Sequence, residues 1–207
     1  MLKQKVNDRP LVYLDSAATT QKPQSVIDEI QHYYTHDNAN VYRGIYTLCA
    51  RATAKYESAR QAVRHFIGGR SNNEVVFTRS ATEAINLVAF SYGELAISPG
   101  DEIIITAAGH HSNIVPWQML CERRQAVLKV VPVDDQGNLD LNTYESLLSE
   151  RTKLVALSYV SNVLGTIFPI KKMIAQAHAV GAVALVDANN NDDQLACARA
   201  PANTGVR

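Results

Sequence analysis

Val183-Ala184-Leu185-Val186-Asp187 is a short continuous apolar run that stops at a single carboxylate. A bounded run of this kind reads as a strand buried on both faces. Just before it, Ile170, Met173, Ile174 and Ala177 recur at helical spacing. A helix followed by a buried strand predicts an α/β fold with a mainly parallel sheet flanked by helices. In such sheets ligands are met outside the carboxyl ends of the strands, and Asp187 is at one of those ends.

Working back along the chain, the same grammar repeats. Strands are expected over Leu154–Val160, Ala126–Val133, Glu102–Thr106 and Glu74–Thr78. Helices are expected over Leu141–Leu148, after Asn113 with Pro116 in the first turn, and over Glu83–Ser91. Further back, a helix opened by Pro23 presents Val26, Ile27, Ile30, Tyr33 and Tyr34 on one face. A longer one presents Leu48, Ala52, Tyr56, Ala59, Val63 and Phe66 and stops at Gly68-Gly69. Leu11 to Leu14 is a short apolar piece, followed by the small residues Ser16 to Thr20.

Composition sets the outer limits. The 207 residues carry 20 basic and 20 acidic side chains, and 46% are apolar, which is ordinary for a globular chain. Zero formal charge gives no reason to expect nucleic acid or an anionic membrane surface. No apolar stretch is long enough to span a bilayer, and the polar Met1–Pro10 does not read as a signal peptide. Cys49, Cys121 and Cys197 lack metal-ligand spacing and read as reduced thiols, which points to the cytoplasm.

Four residues follow expected strands: Thr82, His110, Asn162 and Asp187. Singly, each has a bland reading. Thr82 serves as a helix cap, His110 makes a loop hydrogen bond, and Asn162 is a turn residue. Paired His110 and His111 lack a carboxylate or cysteine at ligand spacing, so no metal site is expected. Together the four ask for a ligand with a phosphate, a flat ring and a ring nitrogen to pair with a carboxylate. Pyridoxal phosphate answers that description.

The chain resembles the SUF-type (group II) cysteine desulfurases, in the class V aminotransferase superfamily of fold-type-I pyridoxal phosphate enzymes. The resemblance is carried by Tyr13-Leu14-Asp15-Ser16-Ala17-Ala18-Thr19, Asn40-Val41-Tyr42-Arg43-Gly44-Ile45 and Ala81-Thr82-Glu83-Ala84-Ile85-Asn86-Leu87-Val88. It continues in His110-His111-Ser112-Asn113-Ile114-Val115-Pro116-Trp117, Ser161-Asn162-Val163-Leu164-Gly165-Thr166 and Val186-Asp187.

The resemblance implies roles. Thr82 is similar to the family's phosphate-loop threonine and His110 to the histidine stacked on the cofactor ring, with His111 as the fallback. Asn162 is similar to the asparagine near the cofactor's phenolic oxygen, and Asp187 to the aspartate on the pyridine nitrogen. The reaction implied takes sulfur from L-cysteine, giving L-alanine and an enzyme persulfide that supplies a sulfur-acceptor protein for iron–sulfur cluster assembly. L-selenocysteine is a substrate of some relatives, and the intact family forms homodimers.

The departures are equally specific. Ala81 stands where the family has a threonine, Gly109 where it has an acidic residue, and Tyr42 where it has a histidine. After Asp187 the family continues glycine-alanine-glutamine, but here Ala188, Asn189 and Asn190 follow. No lysine follows Lys172, so the family's Schiff-base lysine has no counterpart, nor does the persulfide cysteine of its small domain. The expected organisation is a partial cofactor-binding large domain over 1–187 and a divergent or disordered tail over 188–207, with the small domain absent. Such a chain is expected to be inactive alone. Two alternatives stand beside it: a non-catalytic fragment that binds cofactor or dimerises, and another class V enzyme such as a small-amino-acid transaminase.

Overall fold

The computed structural model describes residues 2–16 and 18–188. The chain divides into two compact units, Met1–Val75 and Val76–Arg207. The tail expected after residue 188, with Cys197, lies outside the described residues.

The first unit opens with a two-stranded antiparallel ribbon, β1 (Lys5–Val6) and β2 (Arg9–Pro10). Asn7 and Asp8 turn the corner at φ 52° and 61°, a region that their short polar side chains tolerate. Helices α1 (Gln24–His32) and α2 (Thr47–Phe66) follow, and α1 runs on into a π-helical turn over Tyr33–Asp37. Charge ties the two helices together. Buried Asp37 meets Lys55 at 3.1 Å and Arg51 at 3.2 Å, and Lys55 also reaches Glu29 at 2.9 Å. The apolar face expected on α1 exists but is not buried in this unit: Val26, Ile27 and Ile30 are exposed. Leu11–Leu14 forms no strand, and Val12 and Leu14 face outward.

The second unit is a parallel α/β sheet. Its helices are α3 (Ala81–Val88), the single turn α4 (Glu94–Ala96), α5 (Val115–Arg124), α6 (Leu141–Leu147) and α7 (Ile170–Ala179). Its strands are β3 (Glu102–Thr106), β4 (Val127–Val131), β5 (Thr152–Ser158) and β6 (Val183–Asp187), ordered β4-β3-β5-β6 and all parallel. Alternation along the strands supplies two cores. Ile104, Val155 and Leu157 pack with Tyr144, Phe168 and Met173 on one face. Ile103, Ile105, Leu154 and Ala156 pack with Ile85, Trp117 and Leu120 on the other.

The crossover after β3 runs through α5 on the second face, and the crossover after β5 runs through α7 on the first. The chain therefore leaves these adjacent strands toward opposite sides. This is a topological switch point, which opens a crevice at the carboxyl ends.

Several expected boundaries are corrected. The strand expected over Glu74–Thr78 does not form. Asn72–Glu74 is a 3-10 turn capped by Ser71, and residues 75–78 pair with none of the six strands. An apolar run becomes a strand only where a ladder receives it, and Val76 is instead 63% exposed. The helix expected from Glu83 begins at Ala81, because Ser80 caps it, and a π-helical turn over Ala89–Gly93 extends it. Strand β4 stops at Val131, before Pro132, which has no N–H for a ladder. Strand β5 ends at Ser158, two residues early, and Val160 makes an isolated bridge to Ile167 instead.

Candidate cofactor-binding site

Asp187 is the last residue of β6, half-buried, on the face of the sheet that Leu185 shares with α3 and α5. It lines an apolar cavity of about 200 Å³. Ala81, Ala84, Ile85 and Val88 of α3 form one wall, and Leu185, Val186, Asp187 and Ala188 form the other. Asp187 and the first turn of α3 thus line one space.

Thr82 is exposed on that first turn, next to Ala81. It is not the helix cap. Ser80 Oγ accepts from the Glu83 N–H at 3.1 Å, and the Ser80 carbonyl accepts from the Ala84 N–H at 3.0 Å. Glu83 folds back to accept from the Arg79 N–H at 2.6 Å. Hydrogen bonding from the Arg79 side chain and backbone holds the Glu83 carboxyl below the usual range. Among the described residues no hydrogen bond uses the N–H groups of Ala81 and Thr82. They remain as open donors at the positive end of the helix dipole.

His110 follows β3 and caps a 3-10 turn over His111–Asn113. Its Nδ1 accepts from the Ser112 N–H at 3.2 Å, which assigns the proton to Nε2. Both His110 and His111 are exposed, with ring centroids 6.0 Å apart and near-perpendicular planes. The loop is anchored from below: Asn113 is buried, donates to the Leu157 carbonyl at 3.2 Å and accepts from the Trp117 indole at 2.9 Å.

Asn162 sits in a tight turn after β5 and is exposed. Its neighbour Ser161 is buried and shapes the turn. Ser161 Oγ accepts from the N–H groups of Val163 and Leu164 at 3.4 and 3.2 Å. Gly165 closes the turn at φ 71°. Among the described residues the Asn162 amide makes no hydrogen bond.

The sequence reading passed over Ser158. It is 4% exposed, its Oγ has no hydrogen-bond partner, and it pairs across the ladder with Asp187. A Cβ added to Gly109 would lie 3.5 Å from that Oγ. Ser158 therefore lies next to the loop that carries His110 and beside Asp187 in the ladder. The available signal was positional: a hydroxyl closing the apolar run Leu154–Leu157.

Cys121 is buried, and burial pushes its thiol up to about 11. Cys49 is buried in the first unit and accepts from the Gly44 N–H at 3.0 Å. In the same unit Tyr42 has φ 62° and donates its hydroxyl to Glu57. Among the described residues no cluster of His, Cys, Asp and Glu is placed to hold a metal, and no helix is long and apolar enough to cross a membrane.

Comparison with known proteins gives this geometry a context. The family model described as aminotransferase class V matches residues 12–192. A cysteine desulfurase of Synechococcus elongatus is 54% identical over 196 residues, covering 95% of this chain and 31% of that protein. A cysteine desulfurase of Dickeya dadantii is 54% identical over 187 residues, 90% of this chain and 45% of its own length. The apo structure of a cysteine desulfurase from Thermococcus onnurineus NA1 superimposes with a TM-score of 0.81 at 40% identity, covering 86% of this chain and 44% of that one. The cysteine desulfurase CsdA of Escherichia coli gives a TM-score of 0.75 at 38% identity, covering 84% and 44%. The chain spans less than half the length of these relatives.

Proposed function

The chain belongs to the aminotransferase class V family, and from that premise we propose that it is the cofactor-holding part of a cysteine desulfurase of the SUF type. The cofactor is pyridoxal phosphate. The residues present suit it. The open N–H groups at the start of α3, with Thr82 beside them, suit a phosphate. The exposed ring of His110 suits a flat heterocycle. Asp187, facing the same cavity as α3, suits a protonated ring nitrogen. That last arrangement is the observation that carries the reading.

When bound, the cofactor supplies an electron sink for carbanion chemistry at an amino acid's α-carbon. The protein's share is to bind and orient it. Thr82 and the α3 N–H groups would hold the phosphate, His110 would offer its ring to the cofactor's, and Asn162 would serve its phenolic oxygen. Asp187 keeps the ring nitrogen protonated, since a carboxylate beside a cation favours the charged pair. The substrate proposed for the whole protein is L-cysteine, with L-selenocysteine as a second. Its sulfur passes to an acceptor protein for cluster assembly, in a cytoplasmic homodimer. The proposed domain division is a partial large domain over 1–187 and a divergent stretch over 188–207.

We further propose that this chain alone does not complete the reaction, because no lysine follows Lys172. Equilibrium dialysis tests the cofactor assignment. Saturable pyridoxal phosphate binding, weakened about tenfold by Asp187→Asn, is expected from the loss of a charge-assisted hydrogen bond. Binding unaffected by the substitution overturns the assignment. Incubation with L-cysteine is expected to release no L-alanine, and its release overturns the claim of inactivity.

A further inference from the structure

The geometry points to Ser158 as a positioning residue: its hydroxyl, unpaired in this structure, turns to donate to the Asp187 carboxylate when the cofactor binds and holds that group toward the ring nitrogen. The inference rests on the cofactor reading above.

Three observations carry it. First, Ser158 Oγ is buried without a hydrogen-bond partner, which is unusual for a hydroxyl in a folded interior. Second, Ser158 and Asp187 are direct partners in the parallel ladder, and Ala156 and Leu185, two residues back in each strand, share one core. Side chains two apart along a strand share a face, so Ser158 and Asp187 emerge side by side, with backbones about 4.8 Å apart. Third, the hydroxyl lies at contact distance from the loop that carries His110, since a Cβ built on Gly109 would sit 3.5 Å from Oγ.

The neighbours of Ser158 on its own face, Leu154 and Ala156, offer no acceptor. A carboxylate has about four lone-pair sites, so Asp187 accepts from Ser158, from a ring N–H and from a further donor together. A carboxylate fixed by a neutral donor keeps its orientation without losing its charge. The substitution of Gly109 for an acidic residue also means that no second carboxylate competes for the hydroxyl from that loop.

The test compares two ligands on the same folded chain. Equilibrium dialysis measures binding of pyridoxal phosphate and of its 1-deaza analogue, in which the ring nitrogen is a carbon. Ser158→Ala is expected to weaken pyridoxal phosphate about tenfold and leave the analogue within about twofold, because only the natural ligand uses Asp187 as a charged acceptor. Ser158→Thr, which restores the hydroxyl, is expected to restore binding. Circular dichroism and a urea midpoint confirm that each variant folds. Equal weakening of both ligands, or no change in either, overturns the role of Ser158 while leaving the cofactor assignment standing. Failure of the unsubstituted chain to bind pyridoxal phosphate overturns the assignment and this inference with it.

Discussion

The indole N–H of Trp117 donates to Asn113 Oδ1 at 2.9 Å, and through Asn113 Nδ2 the same contact reaches the Leu157 carbonyl at 3.2 Å. One buried amide thus ties helix α5, the loop behind His110 and the central strand β5.

Replacing that amide removes both bonds and leaves an indole N–H and a carbonyl unpaired in the interior. Asn113→Leu is expected to destabilise the chain by about 3 kcal/mol. Urea unfolding followed by fluorescence reads it directly, since Trp117 is the only tryptophan. An unchanged midpoint would mean that the pair contributes nothing net.

Acid should undo a second network, at the amino ends of the strands. Burial on its own would raise the Glu102 carboxyl. Hydrogen bonds from Lys129 at 2.7 Å and Ser149 at 2.6 Å, with the charges of Lys129 and Arg151, together hold it below the usual range. A depressed folded value means that stability is fully present above the unfolded value of about 4.3 and is lost as pH falls through the folded one. Urea midpoints measured from neutral pH down through pH 3 are expected to fall. Glu102→Gln is expected to be weaker at neutral pH and flatter in that acid range. A parallel acid dependence in the variant would place the loss elsewhere.

Thiol reactivity separates structural from functional cysteines. The Cys121 thiol, raised to about 11 by burial, has almost no thiolate near neutrality. Iodoacetamide at pH 8, read by peptide mass spectrometry, is expected to spare Cys121 in the native chain and modify it in urea. Fast native labelling would contradict its burial.

A steric prediction concerns Gly93, where the end of a π-helical turn meets α5. A Cβ there would lie 2.5 Å from Leu120 Cδ2, and Leu120 is completely buried. Gly93→Ala is expected to cost about 1–3 kcal/mol through overpacking. Adding Leu120→Val should relieve part of that cost, so the double variant is less destabilised than the sum. Strict additivity in thermal melts would show that Leu120 already moves aside.

What the sequence declared and what it concealed have separate physical causes. Ile103-Ile104-Ile105 and Val183–Val186 are apolar on both faces, which leaves buried parallel strands as the economical reading; both strands formed where expected, β3 buried throughout but β6 only half-buried. Pattern alone misled at residues 74–78, because strand formation needs a neighbouring backbone, and periodicity carries no information about one. The face of α1 shows the same limit: Val26, Ile27 and Ile30 align as expected yet stay exposed.

At the candidate site, the position of Asp187 at the end of a strand was legible because a continuous apolar run stops there. Ser80 and Ser158 were not. The first differs from Thr82 only in backbone position, and the second acquires meaning only through the ladder that sets it beside Asp187.

Strand β6 is bonded to β5 along one side, and among the described residues no strand lies along its other side. Successive amides of an extended backbone point alternately left and right, so only every second N–H of Val183–Asp187 reaches β5. Deuterium uptake should therefore be jagged along this strand, slow and fast in turn. In Leu154–Leu157, flanked by β3 and β6, it should be uniformly slow. The strand that ends in the key carboxylate is then the one whose amide clock a newly added neighbour would reset.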